Sequence, residues 1–222
     1  MKKNFNKFFV LSILFFFPIV VYLFFASGVN NFAKLPILTI GISDVVDLPS
    51  LTGSKIELKN KITVLGFWGS DVTNKKVDGF NLNQKIYKRF YEFKDFQFVF
   101  VIDSSETKNI NDFKKELAVG LGSDLSNWRF LIANKKQTSN LFRTLKTDLS
   151  LSDSMAISTV FIIDKLKNLR GRDDDEDIGT LFGYNSSSVA EINNKMVDDV
   201  KVILAEYRLA LKKIMFLQIN IY

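Results

Sequence analysis

The chain holds no cysteine and no histidine among its 222 residues. Without cysteine there is no disulfide exchange, no thiol peroxidase chemistry, no thiolate ligand for a metal and no lipidated cysteine to act as an anchor. Without histidine there is no imidazole ligand and no side chain whose ordinary pKa lies near neutrality. Proline is almost as scarce: Pro18, Pro36 and Pro49 are the only three, all in the first quarter of the chain. Charge is missing from one long stretch, because no Asp, Glu, Lys or Arg lies between Lys7 and Lys34. These absences narrow the function more than any single residue that is present.

The uncharged stretch contains FFVLSILFFFPIVVYLFFA, Phe8 to Ala26. As a helix at ~1.5 Å per residue it spans about 28 Å, close to the hydrocarbon core of a bilayer. Pro18 falls inside it, which membrane helices tolerate better than soluble ones. Lys2, Lys3 and Lys7 precede the run and only Lys34 follows closely. The positive-inside rule therefore predicts a cytosolic tail over 1–7, an anchor over 8–27 and the rest of the chain on the extracytoplasmic, periplasmic side of the cytoplasmic membrane. The competing reading is a cleaved signal peptide, with Ala26-Ser27-Gly28 as a small-x-small processing site; the apolar run exceeds the usual ~7–15 residues of such a segment. Setting the three tail lysines aside leaves 27 basic against 24 acidic residues. That surplus gives no footprint for nucleic acid.

Beyond a linker over 28–36, hydrophobic patterning predicts one α/β domain over 37–213. Pro49 and Gly53 suggest a short hairpin within Ile37 to Ile56. Strands are predicted at Lys61–Phe67, Phe96–Ile102, Trp128–Ala133 and Ser158–Asp164, each a compact run rich in β-branched and aromatic residues. Helical spacing marks Gly79–Phe93, Asn111–Val119, Gln137–Lys146 and a long closing helix from Ser188 to Lys213. Ser188 and Glu191 form a capping-box pattern at the start of that last helix. Strands alternating with helices imply a mostly parallel central sheet. The apolar stretch 214–222, IMFLQINIY, is too short to span a membrane as a helix and reads as a tail packed on the domain.

The predicted strand ending at Phe67 runs into Trp68-Gly-Ser-Asp-Val-Thr-Asn74 and then a helix, a layout that resembles the active-site turn of thioredoxin-like folds. In detail the chain resembles the SCO/SenC family of membrane-anchored copper proteins that assist cytochrome oxidase assembly. That family's CPxxCP motif falls on this loop, with its cysteine positions at Ser70 and Asn74. Val101-Ile-Asp103 matches the family's strand-end aspartate. Phe161-Ile-Ile-Asp-Lys165 followed by Leu169-Arg-Gly171 matches its strand and LRG turn, and the family's histidine falls at about Ala156. The resemblance covers roughly Leu48 to Tyr207 and implies a thioredoxin-like fold. It also implies a degenerate site, since two thiolates and an imidazole are replaced by Ser70, Asn74 and Ala156, with the thioether of Met155 alongside. Thioredoxins proper also place a cis-proline opposite the loop, and no proline here occupies that region.

The expected function is then a membrane-anchored, non-catalytic accessory protein of the cell envelope. It would support respiratory oxidase assembly through contacts with a protein partner, without a cofactor, copper or thiol chemistry. The alternative is an envelope protein- or ligand-binding module on a reused thioredoxin-like scaffold. The candidate partner-binding loop is Trp68, Ser70, Asp71 and Asn74. Trp68 is an anchor for a partner if exposed and strand-end packing if buried. Ser70 as a nucleophile lacks the G-x-S-x-G context and a histidine base, and nothing in the sequence locates a lysine to replace it. The run Asp173-Asp-Asp-Glu-Asp177 lacks the spacing of a calcium loop and reads as a solvated loop beside Arg170 and Arg172. A hydrolase using this run around a divalent cation is a third, enzymatic class.

Overall fold

A computed structural model of the chain describes residues 2–26, 34–121 and 125–219. It divides into two units, 1–33 and 34–222. In the first, α1 (Lys2–Ala26) carries Pro18 in its interior. Among the described residues no helix is long and apolar enough to cross a membrane. Within α1 the described side chains are those of residues 7–23; at ~1.5 Å per residue they reach about 26 Å, short of the ~30 Å core. The structure thus establishes the helix but not the expected anchor. Residues 28–33 of the expected linker, and the Ser27-Gly28 part of the processing site, lie outside the described residues.

The second unit is built around one seven-stranded sheet in the order β1-β6-β5-β2-β3-β4, with β9 (Tyr184–Asn185) also paired to β5. Its centre is β2 (Ile62–Gly69) and β3 (Phe96–Ile102), every residue of both buried. Continuous apolar runs are what a strand covered on both faces requires. Alternation then sorts the side chains: Val64 and Trp68 join Phe98, Phe100, Trp128 and Phe113 in one core, while Leu65 and Phe67 join Val99, Val101, Leu141 and Phe142 in the other. The first core lies under α2 (Val72–Leu82), α4 (Thr107–Leu121) and α7 (Val197–Ile219), and the second under α5 (Lys135–Arg143). Asn134 begins α5 with a full capping box to Gln137.

Strand direction departs from the expectation. The pairs of β2 with β3 and of β3 with β4 (Trp128–Ile132) are parallel. Those of β2 with β5 (Thr159–Ile163), β5 with β6 (Leu169–Arg170), β6 with β1 (Ile37–Thr39) and β5 with β9 are antiparallel. The sheet is mixed rather than mostly parallel, because 144–158 delivers β5 to β2 without a helical crossover. The expected N-terminal hairpin is also absent: β1 pairs with β6, and Ser50 bridges to Leu131 instead.

Helix limits move as well. The helix expected from Gly79 starts at Val72 and continues through a π turn, Asn83–Tyr87, into α3 (Lys88–Phe90). The closing helix starts as α6 (Val189–Glu191), capped by Ser188, passes a second π turn, Ile192–Met196, and enters α7. Its backbone runs on through 214–219 of the expected tail; 220–222 lie outside the described residues.

Two buried ionic knots hold the closing helix to the sheet. In the first, Asp164 (1% exposed) accepts from the backbone N–H groups of Leu166 and Asn168 at 2.9 and 2.8 Å, from Asn168 Nδ2 at 3.2 Å and from Arg170 at 3.1 Å. Arg170 also donates to Leu35 O at 2.7 Å and to Glu206 at 2.6 Å. The second corrects the expectation of a solvated acidic loop at one residue, Asp175, while Asp173, Asp174, Glu176 and Asp177 are exposed. Residues 172–181 form a hairpin of β7 (Arg172–Asp175) and β8 (Gly179–Leu181). Asp175 is buried and held by Lys195 at 2.7 Å, while Arg172 binds Asp199 with both Nε and an Nη, and Asp199 also takes the Tyr184 hydroxyl at 2.7 Å. Burial beside Asp199 pushes the Tyr184 phenol well above its ordinary pKa.

Arg170→Ala strands Asp164 as an uncompensated buried charge and is expected to cost about 3–5 kcal/mol. Chemical denaturation of the full chain, followed by the fluorescence of Trp68 and Trp128, measures it; a loss below about 1 kcal/mol contradicts the knot. The Lys195 ammonium holds the Asp175 carboxyl below its ordinary value of 3.8. That contribution is complete above pH ~4 and is lost as pH falls through the lowered value. Protection factors of the hairpin amides, corrected for the intrinsic pH dependence of exchange, are expected to fall only below pH ~4 on an acid titration, and a fall between pH 5 and 7 contradicts the assignment.

Candidate functional site

The site expected from the sequence is the turn between β2 and α2. Trp68 closes β2 and is 0% exposed. Its indole packs 4.2 Å from the ring of Phe100 and 5.4 Å, edge-on, from Phe113. Burial settles the two readings of Trp68: it packs the strand end, and its surface is not offered to a partner. Its Nε1 has no hydrogen-bond partner among the described residues, consistent with a ring placed for shape rather than polarity.

The chain then leaves the sheet through Gly69 at φ +48°, a conformation that a side chain disfavours. A Cβ at Gly69 would lie 1.9 Å from Ser154 O and 2.7 Å from the Met155 carbonyl. The reason is a second loop, 152–157, pressed against the turn. Ser70 N donates to Ser154 O at 2.9 Å, and Ile157 N donates to Phe67 O at 2.9 Å. Met155, at the tip of that loop, holds φ +58°. From the other side Asp103 N donates to Gly69 O at 2.9 Å. The side chain of Asp103 accepts from Ser105 N and Oγ, which lowers its pKa.

Of the positions suggested by the resemblance, Ser70 is held against the loop that carries Ala156, while Asn74 bonds to Asp71 in its own turn. Ser70 and the 154–156 loop are in direct backbone contact, and Asn74 lies in the first turn of α2. Ser70 and Asn74 are exposed and Asp71 half-buried, while Ala156 is buried. Their own chemistry is modest. The Asn74 amide donates to Asp71 Oδ1 at 2.5 Å, and the Ser70 hydroxyl points to Ser154 O at 3.4 Å. Hydroxyl, amide and methyl groups do not form the soft donor set that copper takes in SCO/SenC proteins, and one Met155 thioether does not replace it. The residues present do not fit that metal.

The structure adds residues that the sequence did not signal. Lys75 donates to Ser158 Oγ at 2.6 Å and lies 3.7 Å from Asp78 Oδ2, and Asp78 in turn accepts from Ser187 Oγ at 2.8 Å. Lys75 and Ser158 are 83 residues apart, so no local pattern announces the pair. It also locates a Ser–Lys couple, but on Ser158 and not Ser70. Lys75 donates to the hydroxyl and faces a buried carboxylate, so the pair braces the start of α2 against the edge of β5. Among the described residues no three carboxylates converge as a cation site, Asp173 to Asp177 included.

No family model matches the chain, and neither does any curated protein. Solved structures do. BsSco, a member of the Sco family of cytochrome c oxidase assembly proteins, superposes with a TM-score of 0.52 at 14% identity, over 77% of this chain and 98% of its own. A SCO1/SenC family lipoprotein from Bacillus anthracis str. Ames gives 0.51 at 15%, over 80% of this chain and 99% of its own. The fold is thioredoxin-like, in the form seen in Sco proteins. The resemblance read from short strings is thus present in the backbone as well. The LRG string proves structural: its arginine is the Arg170 knot.

Gly69→Ala is expected to destabilise the chain by at least about 1–2 kcal/mol, the cost of a left-handed side-chain residue, before the collision with Ser154 O is counted. Amide exchange at Ser70 should rise while that of β3 stays protected. Unchanged exchange at Ser70 would show that the two loops are not docked as described.

Proposed function

We propose that the chain is a membrane-anchored, non-catalytic Sco-like accessory protein of the cell envelope. It contributes to respiratory oxidase assembly through protein contacts rather than copper or thiol chemistry. The observation that carries this reading is the docked loop pair. The Sco-type scaffold keeps its two loops in contact, while the positions that would hold the metal are Ser70, Asn74 and Ala156. A scaffold used for delivery would have no reason to keep the loops without the ligands, whereas a surface read by a partner depends on the loops alone.

The partner surface is the exposed part of the turn, Ser70, Asp71 and Asn74, with Trp68 buried beneath as its support. Binding anchors are usually large side chains in desolvated pockets. This surface is small and polar, which suits a transient contact better than a permanent one. Supporting the anchor are the α1 helix, the uncharged stretch that includes it and the lysine bias of residues 1–7. With that anchor, the lysine bias would put the domain on the extracytoplasmic face of the cytoplasmic membrane.

The second reading, an envelope binding module unrelated to oxidases, uses the same exposed turn. The two separate in cells that lack the chain. The oxidase reading expects less assembled cytochrome oxidase, restored by the natural chain and not by Asn74→Trp, which covers the exposed turn without touching either ionic knot. Normal oxidase levels in those cells leave the second reading standing and remove the first.

A further inference from the structure

The end of the sheet opposite the loop pair carries a second feature. At the start of β2, an open cavity of about 250 Å³ is lined by the apolar Ile62, Phe93, Leu204 and Tyr207, by Lys94 and Arg208, and by the ion pair of Lys165 with Asp95. A smaller cavity of about 170 Å³ adjoins it and shares Phe93, Leu204 and Arg208. Phe93 is 40% exposed in the turn after α3. An exposed ring beside lysine and arginine over an apolar floor is the composition of an interfacial membrane contact.

The charges around this end are unequal. Lys61 and Lys165 share Asp95, at 3.5 and 2.5 Å, and Lys201 is taken up by Asp198 at 2.8 Å. Lys94 and Arg208, which line the cavity, form no ion pair among the described residues; Arg89 acts on Asp198, and the remaining acid on the turn is Glu92. The surplus is positive, so what covers this face carries negative charge.

Chain position selects among anionic partners. The second unit begins at Lys34, and the carbonyl of Leu35 accepts from Arg170, whose other nitrogen holds Glu206. Glu206 precedes Tyr207 and Arg208, which line the cavity. The chain thus reaches the domain at this same end. Seven residues separate Ala26 from Lys34 in the sequence. We infer that the face formed by Phe93, Lys94, Leu204, Tyr207 and Arg208 docks on a bilayer surface containing anionic lipid, holding the domain down with the loop pair turned away. This inference rests on the anchored reading of α1.

The full chain contains no cysteine, so a single Glu92→Cys variant can carry one nitroxide label beside Phe93. A Thr73→Cys variant, labelled beside the loop pair, serves as the control. Both are reconstituted in vesicles of phosphatidylcholine alone and of phosphatidylcholine with equimolar phosphatidylglycerol, and flotation reports the anchor separately. On anionic vesicles the ratio of oxygen to aqueous nickel-chelate accessibility should rise several-fold at 92 and stay flat at 73. Adding Lys94→Glu and Arg208→Glu should abolish the rise while the chain still floats. A chain that floats but whose label at 92 stays as water-exposed as that at 73 overturns the docking and leaves the anchor intact. An equal rise on neutral vesicles overturns the assignment to anionic lipid. A chain that does not float overturns the anchor and this inference with it.

Discussion

One buried guanidinium organises most of the domain. Arg170 binds Asp164 across the β5–β6 turn, the carbonyl of Leu35 where the domain begins, and Glu206 on the closing helix. A charge at 3% exposure is stable only if its partners are fixed, so the knot sets the relative places of three distant segments. It also secures the antiparallel seat of β5 on β2, in which Leu65 faces Phe161. That register carries residues 152–157 past the end of β2 and onto the turn at Gly69. The loop contact at one end of the sheet is in this sense a consequence of the ion pair at the other.

The same dependence explains why the turn asks so little of its side chains. Backbone groups make the loop contact: Ser70 N to Ser154 O and Ile157 N to Phe67 O need no particular side chain except the absence of one at Gly69. Thiolates and imidazole can be lost from such a frame at little cost to folding. What remains is a turn with polar side chains above a buried Trp68, braced by Lys75, Ser158 and Asp78. Such a turn offers hydroxyl, amide and carboxylate groups and no thiolate or imidazole.

Much of this was legible in the sequence, unevenly. The central strands were, because FQFVFVI and ITVLGFW are too apolar to be anything but covered on both faces. The turn after Phe67 was legible from its place between strand and helix. Strand direction was not, since hydrophobic period says nothing of which way a strand runs, and the 144–158 segment has no helix to mark a crossover. The acidic run 173–177 was only partly legible because its fivefold charge hides the pairing of two members, Asp175 and Asp177, with Lys195 on a distant turn. Trp68 stayed ambiguous for a similar reason: its neighbours Phe100 and Phe113 come from other elements. Lys75 and Ser158 were invisible altogether, being joined only in three dimensions.

The central claim is that the frame of a Sco-type site survives while its ligand chemistry has gone. Copper(I) competition titration tests it most directly, on the full chain in detergent and on a variant carrying Ser70→Cys, Asn74→Cys and Ala156→His. The account predicts that the natural chain fails to compete for the metal and that the variant competes. Tight binding by the natural chain would contradict the loss of ligand chemistry. No binding by either would contradict the surviving frame.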